Sequence, residues 1–344
     1  MLRICTLLIS FLFIGFLKAQ SEIKCLCSMD PTPSGAMISH IHKKGEWMFS
    51  YRYMKMKMDG NISGTSSVSD DLIFNNYLGS PNQMDMDMHM LMGMYGLSNR
   101  FTGMVMFNYL DNTMSMVMLP VDPSLGHVGH SHSTEEGHLM KTNGFGDIQL
   151  GLLYGLLMKE NNQIILSTEI NLPTGSIEKK GPDGDMMYNN KRYPYAMQIG
   201  TGTFDFMPKV TYLSEKGEGT LSIQTGLSIP LSYNSLGYKN SATYQFSSWY
   251  AYKLGSKFTT SLRAVLDVSD NIIGLDESLY RYNEPSTNTL NYGQTSLYSF
   301  LGGTFHFWSG NRIAFEFGLP LYQKVLGIQM KDEYQINLSY NIKI

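Results

Sequence analysis

Polar and apolar residues alternate along most of this chain, and the alternation is most regular between Met84 and Gly96. Methionine occupies every second position of the first eleven residues in that stretch, MDMDMHMLMGMYG. Successive side chains of a β-strand point to opposite faces of a sheet, whereas a helix repeats every 3.6 residues. Similar alternation continues to the C-terminus, and no convincing helical periodicity accompanies it. The sequence therefore predicts an all-β protein.

The alternating segments predict about twelve strands. They cover residues 46–58, 84–98, 101–118, 144–157, 163–173, 203–213, 219–230, 244–254, 257–267, 293–307, 311–319 and 332–344. Short connections between them alternate with long ones, at 59–83, 119–143, 174–202, 231–243, 268–292 and 320–331. Short turns at one end and long loops at the other are typical of outer-membrane barrels with an even number of strands. We therefore predict a transmembrane antiparallel meander β-barrel, with both termini in the periplasm.

A soluble β-sandwich would also show alternating strands, but its strands would be shorter and its connections more uniform. In this chain one face of a predicted strand carries Asp147 and Gln149, and one face of the next carries Glu169 and Asn171. Such groups are costly in a dry sandwich core, whereas they suit the polar interior of a membrane barrel. The barrel is therefore the favoured architecture.

The N-terminus, MLRICTLLISFLFIGFLKAQ, predicts export from the cytoplasm. Arg3 precedes an apolar run that ends at Leu17, and a small residue, Ala19, follows. This pattern is typical of a secretory signal peptide, and the run is shorter than the ~20 residues of a membrane-spanning helix. We predict a signal peptide at 1–20, a periplasmic segment at 21–45 and a barrel at 46–344 in the outer membrane of a Gram-negative bacterium.

Charge argues against nucleic acid as a partner. Removal of Arg3 and Lys18 with the signal peptide changes the formal charge from −3 to −5. The rest of the chain has no cluster of basic residues, which a nucleic-acid-binding surface requires. The expected partner is the lipid of the outer membrane.

The faces of the strands predict which way the methionines point. In the first strand, Trp47 and Phe49 share a face that suits lipid, while Glu46 and Arg52 share the other face with methionines. Charged groups are costly against hydrocarbon, so the methionine face is predicted to line the lumen. The methionines assigned to it on three strands are Met54, Met56, Met58, Met84, Met86, Met88, Met90, Met92, Met94, Met104, Met106, Met114, Met116 and Met118.

The hairpin that joins the second and third strands predicts their register. A turn of Asn99, Arg100 and Phe101 would place three pairs of methionines opposite each other: Met94 with Met106, Met86 with Met114, and Met84 with Met116. A register shift of one residue would place the methionine faces of the two strands on opposite sides of the sheet and is excluded. A register shift of two residues keeps both methionine faces on the same side.

A wall of thioethers has a chemistry of its own. Thioether sulfur is a soft ligand that suits Cu(I) and, by extension, Ag(I). Alternate residues of a strand lie about 6.6 Å apart, and methionine has three rotatable bonds, so neighbouring sulfurs can converge on one ion. The alternative interpretation is that the methionines only fill space.

Two further groups of residues suggest metal ligands. The predicted loop segment GHVGHSHSTEEGH contains His127, His130, His132 and His138, and imidazoles with carboxylates suit Cu(II), Zn(II) or Ni(II). Cys25 and Cys27 near the mature N-terminus could chelate Cu(I), form an oxidised product, or bind a periplasmic metal-carrier protein. A solvated histidine loop remains the alternative for the first group.

The stretch GFGDIQLGLLY, followed by LSTEINLPTGS, resembles the signature of the phenol-degradation MetA-like family of outer-membrane transporters, most clearly from Gly144 to Ser176. This family is similar to the channels for fatty acids and aromatic hydrocarbons. The segment HIHKKGEWMFSYRYMKMKMDG and the methionine-rich region after it resemble a branch of such barrels associated with heavy-metal resistance. The resemblance implies a transporter barrel.

These observations together predict a non-enzymatic transporter that binds or passes soft metal ions, with copper as the leading candidate. No obligatory cofactor is predicted. A channel for small hydrophobic or aromatic compounds and a structural or interaction barrel are the alternatives. A membrane lipase would need a lipid-facing serine beside a histidine, and the strands place no serine convincingly beside His89, the strand histidine with outward parity.

Overall fold

The computed structural model describes residues 31–37, 39–119, 138–185, 187–307 and 310–344. The strands in these ranges are β1 (Trp47–Gly64), β2 (Ser66–Val68), β3 (Gly79–Gly96), β4 (Phe101–Met118), β5 (His138–Phe145), β6 (Ile148–Met158), β7 (Asn162–Leu172), β8 (Asp205–Lys216), β9 (Gly219–Pro230), β10 (Tyr238–Lys239), β11 (Thr243–Lys253), β12 (Phe258–Ser269), β13 (Ile273–Gly274), β14 (Gln294–His306) and β15 (Arg312–Lys343). The helices are α1 (Asp70–Phe74) and two 3-10 turns, Tyr195–Met197 and Pro285–Thr287. No helix in these ranges has the length and apolarity to span a membrane.

The main sheet is antiparallel and closes on itself. Its ring follows the order β1-β3-β4-β6-β7-β8-β9-β11-β12-β14-β15, and β15 pairs with β1. Two strands extend the ring. β2 pairs with the C-terminal end of β1, and β5 pairs with the C-terminal part of β4, which follows the part that pairs with β6. The separate pair β10–β13 lies outside the ring. Closure leaves no unpaired sheet edge in the bilayer, which is the condition for a strand protein to span a membrane.

The last strand, β15, folds back on itself and so crosses the ring twice. Residues 312–325 pair with β14, and residues 325–343 pair with β1. Nine antiparallel pairings separate β1 from β14, so these two strands run in opposite directions. Each part of β15 is antiparallel to its neighbour, so the chain must reverse near Gly327, which has a φ of +68°. The described chain therefore crosses the ring twelve times, which confirms the predicted fold.

Three predicted loops differ from the structure. The predicted loop 59–83 is shorter, because β1 continues to Gly64 and β3 begins at Gly79. The long loop at 320–331 is absent, because the β14–β15 ladder continues to Val325 and a tight reversal follows. The predicted loop 119–143 ends earlier, because His138 begins β5, which pairs with β4. Residues 138–143 do not alternate between apolar and charged side chains, so no sequence signal marks the start of β5.

The two faces of the wall differ as predicted. Trp47 and Phe49 point outward with 44% and 46% of their surface exposed, whereas Met92 and Met106 point inward and are buried. Leucine, isoleucine, phenylalanine and tyrosine side chains cover the outer face of the other strands as well, including Leu262 on β12. An apolar outer band with polar and soft groups inside is the pattern of a barrel surrounded by lipid.

The register between β3 and β4 is shifted by two residues from the predicted one. The turn occupies residues 97–100, so that Met94 lies opposite Met104 and Met84 lies opposite Met114. The three predicted pairs of methionines are therefore wrong in detail. A shift of two residues keeps every side chain on its face, so the methionine wall is unaffected.

Part of the N-terminal segment lies inside the barrel. Of the predicted periplasmic segment 21–45, residues 31–37 and 39–42 lie inside the ring at the end with the short turns, and we call them the plug. Most plug side chains are buried. The Arg52 guanidinium donates hydrogen bonds to the carbonyls of Ser34 (2.9 Å) and Ala36 (3.1 Å). The plug therefore fills part of this end of the lumen.

The other end of the ring is covered by three loops, 65–78, 173–204 and 270–293, which we call the cap. The backbone amide of Leu78 in the first loop donates to the carbonyl of Asn283 in the third loop at 3.0 Å. Arg192 forms an ion pair with Asp276, which joins the second loop to the third. The three loops are thus held together by direct contacts.

Candidate functional site

A cavity of about 640 Å³ lies inside the ring between the plug and the cap, and we call it the chamber. Ser34, Gly35 and Met37 of the plug form its floor, and Pro285 and Ser286 of the cap contribute to its roof. The size is within the range of small-molecule sites, which is about 300–1,000 Å³. The chamber is the candidate functional site.

The walls of the chamber differ in chemistry. One wall belongs to β1, β3 and β4 and presents thioethers: Met54, Met56, Met58, Met84, Met86, Met88, Met90 and Met114. The other wall belongs to β11, β12, β14 and β15, of which β15 pairs with β1, and it presents Gln245, Asp267, Gln294, Ser296, Tyr298, Phe300, Asp332, Gln335 and Asn337. A molecule in the chamber therefore meets a soft apolar surface on one side and hydrogen-bonding groups on the other.

Methionines on neighbouring strands lie directly opposite each other in the ladder. Met58 on β1 pairs with Met84 on β3, Met84 pairs with Met114 on β4, and Met114 pairs with Met140 on β5. These four residues form one row across four strands, near the cap. Because directly opposed residues have Cβ atoms about 4.5–5.5 Å apart, their side chains are in contact range.

The buried and partly buried methionines form two clusters, each of which contains ten methionines. The plug-side methionine cluster contains Met37, Met48, Met54, Met88, Met90, Met92, Met94, Met104, Met106 and Met158, together with Ile41, Leu153, Ile165 and Leu213. The cap-side methionine cluster contains Met58, Met84, Met86, Met114, Met116, Met118, Met140, Met187, Met197 and Met330, together with Tyr188 and Tyr193.

All fourteen methionines selected from the sequence lie on the inner side of the wall. Seven belong to the plug-side methionine cluster: Met54, Met88, Met90, Met92, Met94, Met104 and Met106. Six belong to the cap-side methionine cluster: Met58, Met84, Met86, Met114, Met116 and Met118. Met56 lines the chamber. Their role as metal ligands stays a prediction.

The sequence reasoning missed four members of the cap-side methionine cluster: Met140, Met187, Met197 and Met330. Met140 was assigned to a loop, although it lies two residues after His138 on the inner face of β5. Met187 and Met197 belong to the irregular loop 173–204, where no periodicity shows the direction of a side chain. Only the folded arrangement brings them to the wall.

His138 occupies a different position from the one predicted. It lies in β5, opposite Met116, and its Nε2 atom is 3.5 Å from Oδ2 of Asp185, with both side chains largely buried. It is therefore an inward-facing residue under the cap and not part of a solvated loop.

The remaining predicted ligands, His127, His130, His132, Cys25 and Cys27, lie outside the described residues. Within the part of the chain that the structure describes, no group of three or more His, Cys, Asp and Glu side chains is arranged to hold a metal ion.

Several charged side chains of the lumen are paired with each other. Arg263 forms two hydrogen bonds with the Glu316 carboxylate, at 2.9 and 3.1 Å. Lys209 contacts the buried Glu169 at 2.8 Å. Arg263 also lies 4.0 Å from the centre of the Phe300 ring at the chamber wall. Because the two charges within each pair neutralise each other, these residues do not give the lumen a strong electrostatic potential of one sign.

The cap contains a buried carboxyl group, Glu284, beside the roof of the chamber. The Tyr188 hydroxyl donates a 2.6 Å hydrogen bond to its Oε1 atom. Burial raises the pKa of Glu284 to about 7, because the charged form loses its hydration. This contact joins two loops of the cap through a group that titrates near neutral pH.

Comparisons with known proteins agree with the barrel. The family model described as "Putative MetA-pathway of phenol degradation" matches residues 125–269. The fold is similar to an outer membrane channel from Pseudomonas putida F1, with 13% identity, 88% of this chain and 97% of that chain covered, and a TM-score of 0.59. The Pseudomonas putida toluene transporter TodX matches with 10% identity, 87% and 89% coverage and a TM-score of 0.42. No curated protein sequence matches the chain.

The closed ring, its apolar outer band and the shared fold identify the chain as an outer-membrane β-barrel in contact with membrane lipid. The family match supports the resemblance to MetA-like barrels. The more specific resemblance to a methionine-rich branch associated with heavy-metal resistance stays a prediction, as does the signal peptide.

Proposed function

We propose that this barrel is a channel for small, largely apolar compounds, including monoaromatic ones, and that the chamber is part of their route. The observation that carries the proposal is the chamber itself, with thioethers on one wall and Tyr298 and Phe300 on the other. A family described for phenol degradation and an outer membrane channel of the same fold support this class of function.

The lining suits such solutes on physical grounds. Burial of a monoaromatic ring against thioethers and aromatic rings is favourable through the hydrophobic effect and through sulfur–aromatic contacts. The polar groups of the other wall, such as Gln294 and Gln335, can hydrogen-bond a single hydroxyl or carbonyl. A strongly hydrated solute gains little from the methionine wall.

A transport test uses intact cells, because the bilayer of a liposome is itself permeable to apolar solutes. We expect cells with the barrel to take up radiolabelled toluene faster than cells without it, and to take up arabinose no faster. Gln335 lies opposite Met56 at the chamber wall, so Gln335→Trp should fill part of the chamber and slow toluene entry several-fold. Gln83→Trp at an exposed position is the matched control. Faster arabinose uptake would contradict an apolar route.

We infer a second candidate function, the passage of soft metal ions, from the methionine wall. Thioethers line the wall from the plug-side methionine cluster through the chamber to the cap-side methionine cluster, and on β3 every inward-facing position from Met84 to Met94 carries one. Weak neutral ligands at short intervals suit passage, because each binding step is easily reversed.

A leucine triple variant separates this candidate from the first. Met54→Leu, Met56→Leu and Met88→Leu together remove thioethers from the chamber wall with little change in volume. We expect slower entry of Ag⁺ into intact cells and unchanged uptake of toluene. Equal Ag⁺ entry in the variant and in the original protein would rule out passage along this wall.

A further inference from the structure

We propose that the cap-side methionine cluster is a binding site for a soft monovalent cation of the Cu(I) and Ag(I) class. The inference rests on the second candidate function, but it concerns binding at one end of the wall and does not require transport. Its chemistry follows from the ligands, since neutral thioether sulfurs prefer soft d¹⁰ cations over hard ones.

The composition of the two clusters differs in a way that space filling does not explain. The plug-side methionine cluster mixes its methionines with isoleucine and leucine, as an ordinary core does. In the cap-side methionine cluster, every apolar member is a methionine or a tyrosine. Leucine and isoleucine fill space at least as well and have better-defined rotamers, so packing alone would not exclude them. Thioether sulfur is the property that the ten methionines of this cluster share.

The cap-side ligands come from separate parts of the chain and converge. The row Met58, Met84, Met114 and Met140 supplies four side chains from four neighbouring strands. Met84, Met114 and Met140 are almost completely buried, so their sulfurs lie within the cluster and not in bulk water. Three of these sulfurs provide the low coordination number that Cu(I) and Ag(I) accept.

The niche beside Gly79 shows that the cap contributes to the same cluster. A Cβ atom at Gly79 would lie 2.8 Å from the sulfur of Met116 on β4 and 3.3 Å from the methyl carbon of Met187 in the cap loop. The absent side chain of Gly79 therefore leaves the space in which a wall methionine and a cap methionine meet. A bound ion would link the wall to the cap.

The surroundings are suited to a single positive charge. The rings of Tyr188 and Tyr193 are 5.3 Å apart within the cluster, and aromatic rings attract cations through their faces. His138 lies opposite Met116, with its Nε2 atom 3.5 Å from the Asp185 carboxylate. Metal-ligating histidines commonly have such a carboxylate neighbour, so His138 adds an imidazole to the candidate ligands.

The test measures Ag⁺ binding by isothermal titration calorimetry on the full chain in detergent, with Cys25 and Cys27 changed to Ser so that thiols do not compete. We expect the triple change Met84→Leu, Met114→Leu and Met140→Leu to weaken Ag⁺ binding at least tenfold. The matched control, Met92→Leu, Met94→Leu and Met106→Leu in the plug-side methionine cluster, should weaken it less than twofold. Equal affinity of both variants, or a larger loss in the control, would overturn the proposal.

A second measurement needs no substitution in either cluster. Peroxide converts a methionine thioether to the sulfoxide, and a bound cation protects the sulfur lone pair. We expect Ag⁺ to slow oxidation of Met84, Met114 and Met140, measured by peptide mass spectrometry, and to leave Met92 and Met106 unaffected. Uniform protection or none contradicts the site. Tight binding with no Ag⁺ entry into cells would retain the site and refute passage.

Discussion

At the scale of single residues, Glu284 links the chemistry of the cap to pH. Its carboxyl group is fully buried and accepts a hydrogen bond from Tyr188 of the second cap loop. Burial also raises the pKa of Tyr188 and of Tyr292, which surround the same carboxyl group, so both tyrosines stay neutral near pH 7. Glu284 is therefore the group of this contact that changes charge near neutrality.

The stability of the cap should fall as the pH rises. The pKa of Glu284 is about 7 in the folded protein and near 4.5 when the group is exposed. The contribution of Glu284 to the stability of the folded cap is therefore fully present below pH 4.5. Between pH 4.5 and 7 the free energy of unfolding of the cap falls by at most about 1.4 kcal/mol per pH unit. Amide hydrogen exchange of residues 283–292, corrected for intrinsic rates, should show weaker protection at pH 8 than at pH 5.5.

Glu284→Gln supplies the control for this prediction. Glutamine retains an oxygen that accepts from Tyr188 but does not ionise. Protection of the cap in this variant should be nearly independent of pH over the same interval. An unchanged pH dependence would assign the effect to another group.

Single residues also show which side-chain directions can be predicted from the sequence. Alternation predicted that Met92 faces inward and Leu91 outward, because parity on a strand needs no knowledge of the rest of the fold. It did not predict Met187 or Met197, because their direction is set by the packing of a cap loop against β4 and β5. Six wall methionines of the cap-side methionine cluster were therefore predictable, and its two cap methionines were not.

At the scale of elements, the reversal within β15 depends on one glycine. Gly327 has a φ of +68°, and a Cβ atom there would lie 1.8 Å from Oδ1 of Asn291. The side-chain amide of Asn291 donates to the Tyr77 hydroxyl and to the carbonyl of Pro285, both in the cap. This position therefore couples the last hairpin to the cap.

We expect Gly327→Ala to lower the temperature at which the barrel unfolds in detergent, measured by the mobility shift of heated samples on gels. Gly217→Ala is the matched control, because Gly217 has a φ of +59° but nothing within 4 Å of its Cβ position. Both changes cost about 1 kcal/mol of backbone strain. Gly327→Ala should cost about 1–3 kcal/mol more, since it displaces the buried hydrogen bonds of Asn291. Equal shifts would show that the contact with Asn291 is unimportant.

The plug and the cap are the elements that the sequence did not predict. Strands follow from local alternation, whereas the plug is held by contacts distant in sequence, such as Arg312 with the carbonyl of Thr32. Nothing in the local pattern of residues 31–42 distinguishes a segment inside the barrel from one in the periplasm. The register error at 97–100 has a similar cause, because a shift of two residues leaves the alternation unchanged.

At the scale of the whole molecule, the plug and the cap lie at opposite ends of one ring. The turns 159–161, 217–218 and 254–257 lie at the plug end, and the long connections lie at the cap end. Short turns of outer-membrane barrels face the periplasm, so the cap should face the outside of the cell. A solute from outside would then meet the cap first, the chamber second and the plug last.

Cysteine labelling on cells tests this orientation. Ser235 is exposed in the connection before β11 at the cap end, and Ser256 is exposed in the turn before β12 at the plug end. In a background with Cys5, Cys25 and Cys27 changed to Ser, a membrane-impermeant maleimide should label Ser235→Cys on intact cells. It should label Ser256→Cys only after the outer membrane is permeabilised. The two changes are chemically identical and both sites are solvent-exposed, so a difference in labelling reports the side of the membrane. The reverse pattern would place the cap in the periplasm and make the plug the first barrier that an external solute meets.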